Sequence, residues 1–522
     1  MRSRPAALVA AGILLSRVIG LVRERVFGFY FGVTDEADAF RAAFRIPNLL
    51  QNLFGEGVLS ASFIPVYASL VANEKSEEDA AKVAGAVFSI LALVVSIAVL
   101  VGVLAAPVLV DLIAAGFPGA KRDLTVTLVR VLFPGAGLLV LSAWCLGILN
   151  SHKKFFLSYA APVVWNVAMI VTLLWFGKRV SLPDLAVWLA WGSVAGSLLQ
   201  MLVQVPTVMK LLGRLRLGLM ARSPHVREIV RNFAPVFVGR GVVQISGYID
   251  AWIASFLMAG SVAALTYAQN LSMLPVILFG MSVSAAELPA MSQLRGDDSE
   301  IATAMRARLN AGMRRIAFWI IPSAVAFVAI GDVVAGFIYQ NGKFNRDVAT
   351  WVWGILAGSA VGLLATTLGR LYASSLYALR DTTTPFRFAL IRVTLTIVLG
   401  YLFAIPLPAA LGLSPRVGAA GLTISAGMAG WVEFVLLRRA VNRRIGRTGI
   451  PPRRLFTLWA SAALAAAAAR GVRLIAPVNR PLLVGGAVIA VFGAVYFAAT
   501  AIAGVEEVDD ILGKVRRRFK RR

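Results

Sequence analysis

Two apolar stretches near the amino end carry side chains that such stretches normally avoid. Arg17, Arg23, Glu24 and Arg25 fall within 6–31, and Asp38, Arg41, Arg45, Asn48, Asn52 and Glu56 fall within 37–72. The second set steps by three or four residues, so on a helix it forms one stripe. Arg17, Gly20 and Glu24 repeat that spacing on the first stretch. Guanidinium groups arranged in this way bind phosphate, because the planar fork of each reaches two oxygens at once. Carboxylates among them can hold or release the arginines. The plainer reading is an internal ion-pair network that fixes two helices, with Arg23 on Glu24 and Arg41 on Asp38. Arg25 and Asp38 are also near enough to the ends to reach the interface. An ionised side chain at mid-bilayer costs roughly 2.5–3.5 kcal/mol, so such a stripe must face a wet cavity or a partner helix. Pro47, inside the stripe, opens the backbone ladder in a way tolerated beside a cavity.

The elements that must hold these groups follow from composition. Of 522 residues, 59% are hydrophobic and 15% charged, and the mean hydropathy is +0.78. A soluble domain carries about 25% charged residues. Apolar runs of about twenty residues, the length that crosses a bilayer, recur near 6–31, 37–72, 83–116, 124–150, 156–176, 182–212, 228–259, 262–293, 311–340, 348–379, 385–407, 416–437, 455–475 and 481–504. The expected fold is an all-α polytopic membrane protein with about 14 transmembrane helices. Soluble enzyme, disulfide scaffold and disordered chain are excluded together. The single cysteine, Cys145, reads as a small buried hydrophobe. His152 and His225 fall in short polar loops, so neither a metal site nor any other cofactor is expected.

The net charge of +26 is mostly topology. Basic residues collect after span six (Lys210 to Arg231), after span eight (Arg295 to Arg315), after span twelve (Arg438 to Arg454) and in the tail from Lys514. Those segments share one side, and the intervening loops are poor in Lys and Arg. This bias puts both termini in the cytoplasm and favours contact with anionic membrane lipids. A nucleic-acid partner is not expected. Arg2 and Arg4 precede the first run as in a secretory signal, but Arg17 interrupts it, so it reads as a retained span.

An internal repeat organises the spans. Residues 39–65 and 264–289 both contain Leu-Phe-Gly, then a Ser-Ala stretch and a proline. The segment 149–153 after span four likewise has a counterpart in 378–381 after span ten. Spans 1–6 and 7–12 therefore read as two six-helix lobes related by a parallel repeat, an arrangement of transporters with a site between the halves. The expected division is 1–215 and 216–447 for the lobes, 448–504 for two additional helices and 505–522 for a basic tail. The second lobe has scattered charges only: Arg240, Asp250, Glu287, Arg370, Arg392 and Glu433, each expected as a structural pair or at a helix end. Glu506, Glu507, Asp509 and Asp510 read as a solvated face, not as the acid cluster of an enzyme.

Ser16 to Glu24, Asp38-Ala39-Phe40, Phe44 to Leu50 and Glu56-Gly57 closely resemble the opening of the MurJ/MviN family of lipid II flippases, and Asn341 to Phe344 and Tyr377 to Pro385 resemble its later signatures. The resemblance runs over the whole chain. It implies membership of the multidrug/oligosaccharidyl-lipid/polysaccharide exporter superfamily and movement of lipid II to the outer leaflet for peptidoglycan synthesis, by lobes that alternate access. On this resemblance Arg17, Arg23, Asp38 and Glu56 match positions important for transport, and spans thirteen and fourteen form a groove for the polyprenyl tail. The family often has an arginine where this chain has Gln51, and Asp-Arg where it has Gln269-Asn270. Arg41 and Arg45 add charge to the same stripe. The expected substrate-contacting set is therefore Arg17, Arg23, Arg41, Arg45, Asn48 and Asn270, with Glu24, Asp38 and Glu56 as charge partners. Lipid II is the expected cargo, and the cell-wall synthesis machinery is a candidate partner at the basic loops. The alternatives are a flippase for another polyprenyl-pyrophosphate-linked oligosaccharide and a non-transporting relative.

Overall fold

A computed structural model describes residues 4–72, 77–213, 218, 223–475 and 481–508. Side chains at 4–11, 56–58, 60, 61, 77 and 234–247, Glu56 and Arg240 among them, and the basic tail beyond 508, lie outside the described set. Among the described residues the chain is helical throughout, with eleven helices long and apolar enough to cross a membrane. Each of the fourteen expected spans coincides with a helix or a broken helix. The order is α1 (Arg4–Phe31), α2 (Asp35–Phe54), α3 (Glu56–Ala72), α4 (Glu77–Leu104), α5 (Ala106–Ile113), α6 (Gly119–Ser151), α7 (Phe155–Phe176), α8 (Leu182–Leu212) and α9 (Pro224–Ser255). Then follow α10 (Ser261–Pro275), α11 (Ser282–Ser292), α12 (Asp298–Tyr339), α13 (Arg346–Ala378), α14 (Thr383–Ala404), α15 (Pro406–Ala410), α16 (Val417–Ile445), α17 (Pro452–Ile475) and α18 (Pro481–Ile502).

Local chemistry sets many of these boundaries. Thr34, Ser181, Asp297 and Asn345 each cap a helix by accepting a backbone N–H three residues on. The expected second span is broken at Gly55, whose N–H bonds back to the Gln51 carbonyl at 2.7 Å. The expected eighth span contains a π-helical turn, Val276–Met281, immediately after Pro275. Proline has no N–H to donate, so the ladder slips there. Both interruptions fall on the two Leu-Phe-Gly segments.

The second pair of repeated segments matches in detail. Lys153 and Arg380 are the only non-glycine residues with positive φ among the described residues, at 59° and 60°. Each follows a 33-residue helix and precedes a 22-residue one. Lys154 N–H bonds to the Leu149 carbonyl at 2.8 Å, and Asp381 N–H to that of Leu376 at 2.9 Å. This is one helix-terminating turn built twice.

The chain divides into two compact units, Met1–Ala263 with Asn341–Phe344, and Ala264–Gln340 with Asn345–Arg522. A packing unit and a sequence repeat are different things here. α9 opens the second set of six spans, yet it packs against α2 and α3. In the first unit α6 is the central element, touching α2, α3, α4 and α8, while α1 lies on α7. In the second unit α13 packs between α12 and α16, and α17 and α18 lie on α12. The turn Asn341–Phe344 joins the first unit: Lys343 N–H donates to the Phe29 carbonyl at 2.9 Å, and Phe344 is fully buried.

Candidate functional site

The charged stripe of the first unit centres on Glu24, a buried carboxylate on α1 with 5% of its surface exposed. Arg23 donates to its Oε1 at 2.6 Å. Arg41, reaching across from α2, donates to both oxygens, at 3.2 and 2.5 Å. Each guanidinium also lies over an aromatic ring, Arg41 over Phe27 at 4.1 Å and Arg23 over Trp165 at 4.8 Å. Two cations on one carboxylate leave the cluster one positive charge in excess, held where the rings and helices keep water scarce. Fork geometry with cation–π support fixes both arginines.

The expected pairing of Arg41 with Asp38 is corrected: Arg41 takes Glu24. Asp38 does not reach an interface either, being 1% exposed. It accepts from Lys121 Nζ at 2.7 Å and from the backbone N–H groups of Gly260 and Ala263, both at 2.7 Å. Those amides open α10, whose first turn groups with the first unit. Asp38 thus caps another helix from outside, where a carboxylate meets the positive end of the helix dipole. Lys121 bridges Asp38 and the more exposed Asp35, the latter at 2.8 Å.

Arg45, the next step of the stripe, has its carbonyl bound by the Tyr248 hydroxyl at 3.0 Å. The Asp250 carboxylate of α9 acts on its guanidinium. Asn48 and Gln51 line a small gap beside Phe44 and Pro47, of about 10 Å³, closed on the far side by Ser193 and Ser197. That is room for about one water. Arg17 is exposed on α1, seven residues before Glu24 and so about two turns away on the same face. Asn270 is half-buried on α10 in the second unit. The Glu56 side chain lies outside the described residues.

The structure therefore joins Arg23, Glu24 and Arg41 in one cluster and distributes Asp38 and Arg45 to separate partners. Sequence reading missed Lys121, Tyr248 and the two ring platforms. Only Lys121 left a signal, as a lysine beside Arg122 just ahead of the expected fourth span, where the structure places it in the first turn of α6. In the second unit the scattered charges pair locally: Arg392 with Glu433 at 3.2 Å, and Arg308 with Glu287 at 3.3 Å. Glu506 and Glu507 both pair with Arg454. An apolar groove of about 340 Å³ runs between α12 and α18, lined by Trp319, Phe327, Phe492 and Phe497 with Leu278 and Phe279 of the π-helical turn.

A family model described as lipid II flippase MurJ matches residues 28–493. A lipid II flippase MurJ of Burkholderia cenocepacia is 32% identical over 447 residues, covering 84% of each chain. A probable lipid II flippase MurJ of Rhizobium tropici is 33% identical over 450 residues, covering 84% of this chain and 80% of the relative. A solved structure of lipid II flippase MurJ in an inward closed conformation superposes with a TM-score of 0.78 at 23% identity, over 96% of this chain and all of that one. An inward-facing multidrug transporter of the MATE family, in the MOP superfamily, gives 0.62 at 17% identity, over 84% of this chain and 98% of that one. Those two likenesses speak to fold, and the family match and the relatives carry the rest: the chain belongs to the MurJ family of lipid II flippases.

Proposed function

We propose that this chain is a transporter, not an enzyme, that moves lipid II from the cytoplasmic to the outer leaflet of the bacterial cytoplasmic membrane by alternating access, with both termini in the cytoplasm. The observation that carries this reading is the Glu24 cluster, two arginines held ready on one buried carboxylate in a chain of this family. A pyrophosphate offers more acceptor oxygens than Glu24 and carries more charge. It competes for Arg23 and Arg41, and Glu24 recaptures them once cargo leaves. Arg17 and Arg45 extend the cationic path along α1 and α2, with Asn48 and Asn270 as polar contacts for the headgroup. Asp38 and Glu56 are the remaining charge partners. The groove between α12 and α18 accommodates a polyprenyl tail. Outward movement of an anion is favoured by about 2.3 kcal/mol per charge per 100 mV of inside-negative potential, which needs no nucleotide.

The absence of arginine at Gln51 and of Asp-Arg at Gln269-Asn270 supports a second reading, another polyprenyl-pyrophosphate-linked oligosaccharide as cargo. The test is replacement of a resident lipid II flippase in living bacteria by this chain, followed by measurement of lipid II exposed on the outer leaflet. Restored exposure that disappears with Arg23→Ala at matched membrane level is the expected result. A well-inserted chain that restores nothing overturns lipid II as cargo.

A further inference from the structure

A second basic site stands in the other unit, at the end of α12 opposite its amino-terminal basic loop. There the last turns of α12, the first turn of α13, the end of α17 and the start of α18 enclose a cavity of about 380 Å³. This falls within the range of roughly 300–1,000 Å³ typical of small-molecule sites. Its polar lining is Asp332, Gln340, Arg346, Thr350, Arg470 and Arg473. Three guanidiniums face one carboxylate, a net charge of two positives in a pocket partly walled by Phe337 and Val484.

The pocket is held by structure beneath it. α12 is kinked at Ile330, where φ is −132° and ψ is 21°. The nearby carbonyls are taken from outside the helix: Trp353 donates to those of Phe327 and Val328, at 3.1 and 3.0 Å, and Arg470 Nε to that of Ala329 at 2.6 Å. Arg473 pairs with Asp332 through Oδ2. The other oxygen of Asp332, Oδ1, is buried without a hydrogen-bond partner among the described residues, and that side chain is 9% exposed. Arg346 is exposed, and its guanidinium has no partner among the described residues. The site thus offers a guanidinium awaiting an anion, a second one anchored by a single nitrogen, and a buried acceptor awaiting a donor.

The rim decides what class of molecule carries those groups. Leu474 and Ile475, at the end of α17, are 87% and 88% exposed, and Leu482 and Leu483, in the first turn of α18, are 51% and 64% exposed. A cationic pocket that opens among bare leucines fits an amphiphile better than a soluble ion. We propose that it binds the headgroup of an anionic glycerophospholipid of the phosphatidylglycerol type. The phosphodiester lies on Arg346 and Arg470, a headgroup hydroxyl donates to Asp332 Oδ1, and the acyl chains lie on the exposed leucines. Placement in the outer leaflet rests on the orientation proposed above, and the binding itself does not. This lipid is a resident of the bilayer, separate from cargo at the Glu24 cluster.

The test uses the purified full chain in neutral detergent, titrated with phosphatidylglycerol or phosphatidylcholine and read by native mass spectrometry. Retention of phosphatidylglycerol about tenfold over phosphatidylcholine is expected, the scale of one charge-assisted hydrogen bond. Arg346→Gln lowers that preference about threefold or more with the thermal midpoint unchanged, since this side chain supports nothing else. Arg346→Gln with Arg470→Gln abolishes it. Equal retention of both lipids by the unaltered chain overturns the proposal, as does a preference that survives Arg346→Gln in a folded protein. Displacement of phosphatidylglycerol by equimolar inorganic phosphate would reassign the pocket to a soluble anion. No transport is read here, so failure of this site and failure of lipid II flipping are separate results.

Discussion

Leu53-Phe54-Gly55 and Leu278-Phe279-Gly280 interrupt corresponding helices by different means. The first ends α2 outright, and the second slips the ladder into a π-helical turn before α11. The charge around them differs as well. The first copy carries Asp38, Arg41 and Arg45 on the stripe leading to the break, whereas the second carries Gln269 and Asn270. The interruption is thus common to both scaffolds, while the ionic chemistry belongs to one. A helix break in a bilayer must satisfy its own backbone wherever it occurs, so it persists as architecture. Buried charge costs stability at every position, so it persists only where something uses it.

The largest expected effect breaks that contrast at its centre. Glu24→Gln removes the carboxylate that Arg23 and Arg41 share in a buried site, a loss of about 3–5 kcal/mol. Thermal unfolding in detergent should show it, and adding Arg41→Gln should recover much of the loss. Asn270→Ala in the second copy should cost about 1 kcal/mol or less by the same measurement, as one neutral hydrogen bond would.

Next in size come the two glycines. A Cβ at Gly55 would stand 2.2 Å from the Gln51 carbonyl oxygen, which is backbone. At Gly280 it would meet Thr367 Cγ2 at 2.3 Å, a side-chain atom and not backbone. Gly55→Ala should therefore cost about 2–3 kcal/mol and Gly280→Ala about half that. Equal losses would mean that both breaks are equally rigid.

Lys153 and Arg380 test the identity of the repeated turns. A β-branched residue tolerates positive φ poorly, so Lys153→Val and Arg380→Val should each cost about 1–2 kcal/mol, and by similar amounts. Their effects should add, since the two turns share no partner.

The smallest effect separates the same turns by acid. Asp381 accepts from the Thr384 hydroxyl and backbone N–H and pairs with Arg444, which together hold its carboxyl down at about 2. A lowered folded-state value stabilises the protein above the ordinary carboxylate range near 4, and the contribution fades as pH falls toward 2. The equivalent residue in the first copy is Lys154. A modest loss of stability between about pH 4 and 2, removed by Asp381→Asn, is expected in unfolding curves taken across that range.

Much of the architecture was legible because a bilayer imposes length and hydropathy on every span. The Leu-Phe-Gly pair and the loop pair at 149–153 and 378–381 were enough to find the repeat. Less of the site was legible. Three- and four-residue spacing put Asp38, Arg41 and Arg45 on one stripe, and that reading was sound. It did not say which helix each would face. Arg41 looks toward α1 and finds Glu24, while Asp38, one turn earlier, meets Lys121 and the opening amides of α10. A backbone amide leaves no signature in residue type, so a carboxylate that caps a distant helix looks the same in sequence as one that awaits an arginine. The second basic pocket was hidden for a similar reason: Arg346 and the Arg470–Arg473 pair come from segments more than a hundred residues apart.

The repeated turn at Lys153 and Arg380 bears on how the chain is made. All of its backbone hydrogen bonds are local, reaching back at most five residues. It can close as soon as its own helix has emerged from synthesis, before any tertiary neighbour exists. The hairpins α6–α7 and α13–α14 thus have corners shaped by their own chain, with Lys153, Lys154 and Arg380 carried on them. Formation of each corner is in this sense autonomous, and it happens twice along one polypeptide.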